Sequence, residues 1–283
     1  MAIKSRTSEM PADTRPNDQL RTPLYHQVYL ILRDKILSGV FNDGDLIPSE
    51  AELSRMYGVS RITVRRAVED LAAEGLVRRR RGAGTHVTYE PGRDVISVDV
   101  KNILSGLFEI GKETTVKLLE YGIDLPPSDV KRALRLEDGA QVQRTVRVRS
   151  TLGNPFSFIV AYVPYEIAAH FDRARLETDS LVDLLESTGR KLTHASQNIS
   201  AGLADPIIAR TLGVDVGTAL ITANRVMYEE SGKPVEFVRA RYRPDRFQYW
   251  LDMERAPADA DGKAPFVVSS AGRAAPTPVT EAD

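Results

Sequence analysis

Cysteine is absent from the 283 residues. Its absence excludes disulfides, thiol nucleophiles and cysteine-ligated zinc, and makes a reducing cytoplasm the expected location. Histidine is scarce. The four residues His26, His86, His170 and His194 show no HExxH spacing, so neither a metal site nor a cofactor is expected. No apolar run approaches the roughly 20 residues that cross a bilayer. The longest candidates, such as Phe158 to Val163, have strand length. The first residues hold no apolar segment of the kind a secretory signal needs, so no membrane partner is expected. A Gly-x-Ser-x-Gly nucleophile elbow is also missing, and Gly82-Ala83-Gly84 lacks the third glycine of a dinucleotide-binding turn. Net charge is close to nil, at −1, but it is unevenly spread. Between Arg61 and Arg81 seven arginines stand against Glu69, Asp70 and Glu74. A basic patch inside a near-neutral chain is the electrostatic footprint of a nucleic-acid surface.

The length suits two domains. Residues 1–20 are polar with Pro11 and Pro16, and residues 256–283 are rich in Ala, Pro, Asp and Ser; both ends read as disordered. Residues 21–90 and 112–255 form the two blocks, with 91–111 as a linker around Pro91-Gly92-Arg93.

In the first block Leu24, Val28, Ile31, Leu32, Ile36 and Leu37 recur at helical spacing up to Gly39. Pro48 and Ser49 open a second helix, with Leu53 and Met56 as its buried side and Gly58 at its end. Ser60 caps a third helix that turns Val64, Ala67, Val68 and Leu71 inward and stops at Gly75. Short strands at 76–80 and 85–89 flank the turn Arg81-Gly82-Ala83-Gly84. Three helices and a hairpin make a winged helix. Within it, "PSEAELSRMYGVSRITVR" (48–65) carries a glycine turn, a polar cap and long polar side chains on the following turn, as a helix-turn-helix requires. Arg61 and Arg65, four apart, share one face and can reach base edges or phosphates. Ser49, Ser60 and Thr63 are candidate contacts near helix N-termini. Arg66 faces away, and at least one of Arg78, Arg79 and Arg80 must point from the DNA.

The second block contains an internal repeat. "ALRLEDGAQVQRTVRVRSTLGNPFSFIVAYVPYE" (133–166) aligns with "ARTLGVDVGTALITANRVMYEESGKPVEFVRARYRPD" (209–245). The alignment pairs Gly139 with Gly217, Arg147 with Arg225, Gly153 with Gly232 and Pro155 with Pro234. Each copy reads helix, turn, strand, hairpin, strand. Two copies predict an α+β domain: an antiparallel sheet with pseudo-two-fold symmetry, helices on one face and a ligand cleft where the halves meet. Arg147 and Arg149 fall on one strand face, opposite Val146 and Val148, and suit a carboxylate or phosphate.

The line "IPSEAELSRMYGVSRITVRRAVEDLAAEGLVRRRRGAGTHV" resembles the GntR regulators, and the likeness spans residues 23–89. The lines "VQRTVRVR", "AYVP", "GKPVEF" and "RYRPDRF" resemble the UTRA effector domain of the HutC subfamily, which has a chorismate-lyase-like fold. The resemblance implies a homodimer that binds an inverted-repeat operator in double-stranded DNA and responds to a small-molecule effector. It places the family's DNA-contacting arginines on Arg61 and Arg65, and its wing-tip contacts on Arg81 and Gly82. It places effector contacts on Ser105, Arg147, Arg149, Tyr228 and Glu236. Two departures stand out. Ala51 follows Pro-Ser-Glu where the family usually has a DNA-contacting arginine; Arg55 either replaces that contact or is a solvated helix residue. Ile159 stands where sugar-sensing relatives carry a glutamate, which favours a less hydroxylated acid. The alternative is an enzyme of chorismate-lyase-like fold acting on a small acid, since the same arginines and glutamate could serve either purpose. His194 reads as a structural histidine.

Overall fold

A computed structural model describes residues 16–17, 19–89, 95–99, 110, 114–171, 173–256 and 264–268. The chain divides into two compact units between residues 93 and 94.

The first unit holds α1 (Leu24–Leu37), α2 (Glu50–Tyr57) and α3 (Arg61–Ala73), then β1 (Val77–Arg80) and β2 (Gly84–Val87). Ser49 caps α2 in a full capping box: its side chain accepts from the Glu52 backbone, and the Glu52 carboxylate accepts from the Ser49 backbone. The Ser49 hydroxyl, donating to the Glu52 carboxylate at 2.6 Å, and the Ser49 backbone N–H together hold the Glu52 carboxyl below its ordinary range. Gly58 closes α2 in the left-handed conformation, and Ser60 caps α3. The core joins Val28, Leu32 and Ile36 of α1 to Leu53 and Tyr57 of α2 and to Val64, Val68 and Leu71 of α3. Tyr57 takes the place expected for Met56, which is partly exposed. Three residues separate Leu53 and Met56, but the core lies on the side reached by the four-residue step. β1 and β2 pair antiparallel from Val77↔Val87 to Arg80↔Gly84. Leu46 bridges His86 and lies over the wing.

The second unit begins with β3 (Ile96–Asp99), β4 (Thr115–Asp124), α4 (Ser128–Ala133), β5 (Val142–Thr151) and β6 (Asn154–Pro164). A short α5 (Tyr165–Ala168), a 3₁₀ turn (Arg175–Glu177) and α6 (Leu181–Ser187) follow. Next come β7 (Leu192–Leu203), α7 (Pro206–Leu212), β8 (Ala219–Glu229), β9 (Pro234–Tyr242), β10 (Phe247–Trp250), β11 (Met253–Arg255) and β12 (Phe266–Val268). One antiparallel sheet runs β4-β5-β6-β9-β8-β7. Its order is symmetric about the β6–β9 pair: β4-α4-β5-β6 and β7-α7-β8-β9 are the two copies of the repeat. Gly153 and Gly232, matched in the sequence, both take φ near 79° at the tip of their hairpins, a conformation that glycine adopts without steric cost.

Helices cover both faces of the sheet, not the single face expected. α7 packs Ile208, Ala209 and Leu212 against Val146, Val148 and Phe158, and α4 packs Val130 and Leu134 against Val142, Tyr162 and Phe237. Across the sheet, α5 and α6 bring Ile167, Leu181, Leu184 and Leu185 to Ala161, Val163, Met227, Val238 and Tyr242. The second layer comes from the stretch between the repeats, whose helices are too short to show a helical period in sequence. Two other expectations shift. β3, inside the stretch read as a linker, pairs in parallel with β10 and so belongs to the second unit. β12, inside the stretch read as a disordered tail, pairs with β11; Phe266-Val267-Val268 is a run of strand-favouring residues. The rest of both ends, and most of 91–111, lie outside the described residues.

Candidate DNA interface and effector site

The core of the first unit leaves one side of α3 free. At 3.6 residues per turn, each residue advances about 100° around the axis. Arg61 and Arg65 therefore stand about 40° apart, Arg61 at the margin of the face buried through Val64, Val68 and Leu71 and Arg65 further round it, and both are exposed. Arg61 has no ion pair or hydrogen bond through its side chain among the described residues. Arg65 is steered by Glu69, at 3.0 Å one turn along the helix. Ser60 Oγ accepts from the Thr63 backbone and lies 2.8 Å from Thr63 Oγ1; both hydroxyls sit at the positive end of the helix dipole. Ser49 is spent on its own capping box. Arg55 is exposed on α2, its Nε donating weakly to the Ala51 carbonyl at 3.4 Å.

The remaining arginines sort themselves by partner. Arg66 lies over the Tyr25 ring, 3.8 Å from its centroid, and so braces α1 against α3. Arg79 reaches Glu50 at 2.8 Å and Glu69 at 3.6 Å, and it ties the wing to α2 and α3. Arg78, Arg80 and Arg81 remain exposed on the wing. The His86 ring is within hydrogen-bonding distance of the Gly44 and Ala83 carbonyls at 3.2 and 3.0 Å, which fixes the turn that carries Arg81 and Gly82.

In the second unit, Arg147 and Arg149 share a face of β5 and are both buried. Arg147 donates to the Asp179 carbonyl at 3.1 Å, and Arg149 donates to Thr114 Oγ1 at 2.8 Å. Two more charges lie on the same face: Arg225 of β8 and the fully buried Glu236 of β9, 3.6 Å apart. The register sets Ile159, Ala161, Ala223, Val238 and Ala240 between these poles. β5 and β8 are three strand spacings apart, about 14 Å, so buried apolar side chains lie between the charged groups of the two strands.

Three guanidiniums share this face with the Glu236 carboxylate, the Asp183 carboxylate acts on Arg149, and several polar atoms around them are left unsatisfied. Arg147 Nε, Arg225 Nε, both Glu236 oxygens, Thr145 Oγ1, Gln143 Oε1 and Ser157 Oγ are buried without a hydrogen-bond partner among the described residues. Burial, reinforced by the neighbouring charge of Arg149, pulls the Arg147 guanidinium down to about 9, with Glu236 opposing. Burial pushes the Glu236 carboxyl above its usual range, against the pull of Arg225 and Arg147. Each unpartnered buried polar group costs on the order of 1–3 kcal/mol. Such a cluster makes this face the candidate effector site.

Tyr228 does not join this cluster. Alternation along β8 sends Met227 into the core beside Arg225 and turns Tyr228 to the opposite face. There it meets His194, 5.3 Å between ring centroids, and the Arg135 guanidinium beyond α4 at 5.9 Å. Ser105 lies outside the described residues. Arg225 was missed from the sequence, although the repeat aligns it with Arg147: a pseudo-two-fold sheet brings both to the same face. A cavity of about 700 Å³, lined by Leu134, Arg135, Gly139, Pro164 and Lys233, opens elsewhere on this unit. Its lysine is already paired with Glu166, and none of the unsatisfied buried groups lines it.

Comparison with known proteins decides the family. Residues 24–87 match the bacterial regulatory proteins of the gntR family, and residues 109–248 match the UTRA domain. The chain belongs to the GntR family. It is a DNA-binding transcription regulator with a UTRA domain, of the HutC-like arrangement. An HTH-type transcriptional regulator of Mycobacterium tuberculosis is 29% identical over 237 residues, covering 82% of this chain and 87% of that protein. The HTH-type transcriptional repressor NagR of Bacillus subtilis is 25% identical over 240 residues, covering 84% and 98%. The crystal structure of PhnF from Mycobacterium smegmatis superposes with a TM-score of 0.51 at 26% identity, covering 80% of this chain and 99% of that one. These GntR relatives carry the names of regulators, which sets the enzyme reading aside.

Proposed function

We propose that this GntR regulator is a homodimeric repressor, located in the cytoplasm, that binds an inverted-repeat operator and responds to a small anionic metabolite. The observation that carries the effector reading is the buried surplus of guanidinium on one sheet face, with polar groups left unpartnered. An anion would neutralise Arg147 and Arg149, and Arg225 with Glu236 would orient its other end, the carboxylate accepting from a donor on the ligand. Arg61, Arg65, Ser60 and Thr63 on α3, with Arg81 and Gly82 on the wing, would contact the operator, and Arg55 would flank them. Repression is supported by relatives named as repressors, NagR among them.

Dimerisation is supported by the edges of the sheet. Its β4 edge carries Lys117, Glu120 and Asp124, whereas β7 runs LTHASQNISAGL over twelve residues without Asp, Glu, Lys, Arg or Pro. Its outer side pairs with no strand among the described residues. An uncharged free edge invites another strand, and a second copy brings one without like-charge repulsion. One recognition helix reads few base pairs; two related by symmetry read an inverted repeat. The test is a thermal-shift screen of carboxylate and phosphate metabolites on the full chain. Hits are then assayed for release of duplex DNA selected from a random pool. A metabolite that stabilises the protein and shifts its DNA affinity supports the reading; hits that act equally on an Arg147→Ala, Arg149→Ala variant refute the site.

A further inference from the structure

Of the large apolar side chains of α3, Val64, Val68 and Leu71 are buried, whereas Ile62, in its first turn, is 80% exposed. The helical wheel gives this exposure a direction. Val64, Ala67, Val68 and Leu71 centre the buried side, and Ile62 projects almost opposite that centre. It lies within the same arc of about 100° as Arg61 and Arg65. It stands between Arg61 and Thr63, one turn from Arg65 and Arg66. A β-branched hydrocarbon set among arginines at the most prominent point of a helix gains nothing from the fold, so its use lies in what covers it. The major-groove edges of base pairs offer hydrogen-bonding groups and one apolar group, the C5 methyl of thymine.

We propose that Ile62 packs on a thymine methyl in each operator half-site and so makes the protein prefer thymine to cytosine at that position. The inference rests on the reading of α3 as the DNA-contacting helix. It adds a base preference that arginine contacts alone would not give. The guanidiniums address guanine or phosphate, while Ile62 addresses a methyl group beside them.

The test uses duplexes selected by the full chain from a random pool, with each thymine of one half-site replaced in turn by deoxyuridine. That exchange keeps the hydrogen-bonding pattern and removes the methyl group alone. Wild type should lose about fourfold in affinity at one position, the size expected for one lost buried methyl group. Ile62→Ala should bind the thymine and uracil duplexes equally at that position. Because Ile62 is exposed, the variant should melt with wild type, which separates a lost contact from a lost fold. Uniform tolerance of uracil by wild type, or an unchanged loss in Ile62→Ala, overturns the inference while leaving specific DNA binding in place. Failure of the pool to yield any enriched sequence overturns the inference together with the reading beneath it.

Discussion

At the scale of single residues the two arginine sets differ in what water does for them. Arg61 and Arg65 are solvated and give up hydration only on binding DNA. Arg61→Ala should therefore leave folding unchanged and weaken operator binding by about 1–3 kcal/mol where it makes a bidentate base contact, measured by fluorescence anisotropy at fixed salt. Arg147 is already stripped of water and, among the described residues, has one hydrogen bond, to the Asp179 carbonyl. Replacing a buried, poorly compensated charge by an apolar side chain of similar volume commonly stabilises a protein, by about 1–4 kcal/mol. Arg147→Met should thus raise the stability of the ligand-free protein to urea while abolishing the effector response. A marked loss of stability would show that Arg147 is a structural strut. The sequence could place Arg147 and Arg149 on one face because alternation along a strand is local. Alternation alone could not place Glu236 or Arg225 beside them, because that depends on strand order; the family likeness named Glu236, and Arg225 was signalled only by its alignment with Arg147 in the repeat. Tyr228 was named with them by the family likeness, whereas alternation along β8 turns it to the opposite face from Arg225.

At the scale of elements the winged helix was almost wholly legible, because each of its boundaries is written in a side chain. Ser49 and Ser60 cap, Gly58 turns, and the buried residues of α1 and α3 recur at helical spacing. Removing the Ser49 hydroxyl by Ser49→Ala should destabilise the first unit by about 1 kcal/mol, read from denaturant unfolding. The wing gives a sharper case. Gly84 has φ +88°, and a Cβ there would stand 2.5 Å from Leu46 Cδ1. Gly84→Ala should distort the wing carrying Arg81 and weaken DNA binding, while α1 to α3 keep their helical circular dichroism. Unaltered DNA affinity would mean that the wing makes no contact of consequence. The sheet was only half legible. β5, β6, β8 and β9 alternate or run apolar, whereas the edge strand β7 is mostly exposed on both faces and β4 alternates only up to the irregularity between Leu118 and Glu120.

At the scale of the whole molecule, two expectations bind the parts together, the dimer and the coupling. An added charge should protect the β7 edge as charges protect β4. Ile199→Lys should convert the chain to a monomer at micromolar concentration by light scattering and weaken operator binding, because its two heads are no longer linked. A dimer unaffected by this change would place the interface elsewhere. Coupling follows from thermodynamics once both ligands bind one molecule. An effector alters operator affinity only to the extent that it prefers one arrangement of the dimer over another. A coupling of about 1–3 kcal/mol corresponds to a change of roughly 5- to 150-fold in DNA affinity. The same factor must appear in reverse: saturating operator DNA must change the affinity for the effector by that ratio, measured by calorimetry with and without the duplex. The double variant Arg147→Ala, Arg149→Ala should bind operator as wild type does and show a ratio of one. If wild type gave a factor of one in both directions, the metabolite and the DNA would not be acting on a shared equilibrium. Its effect on transcription would then need a second protein.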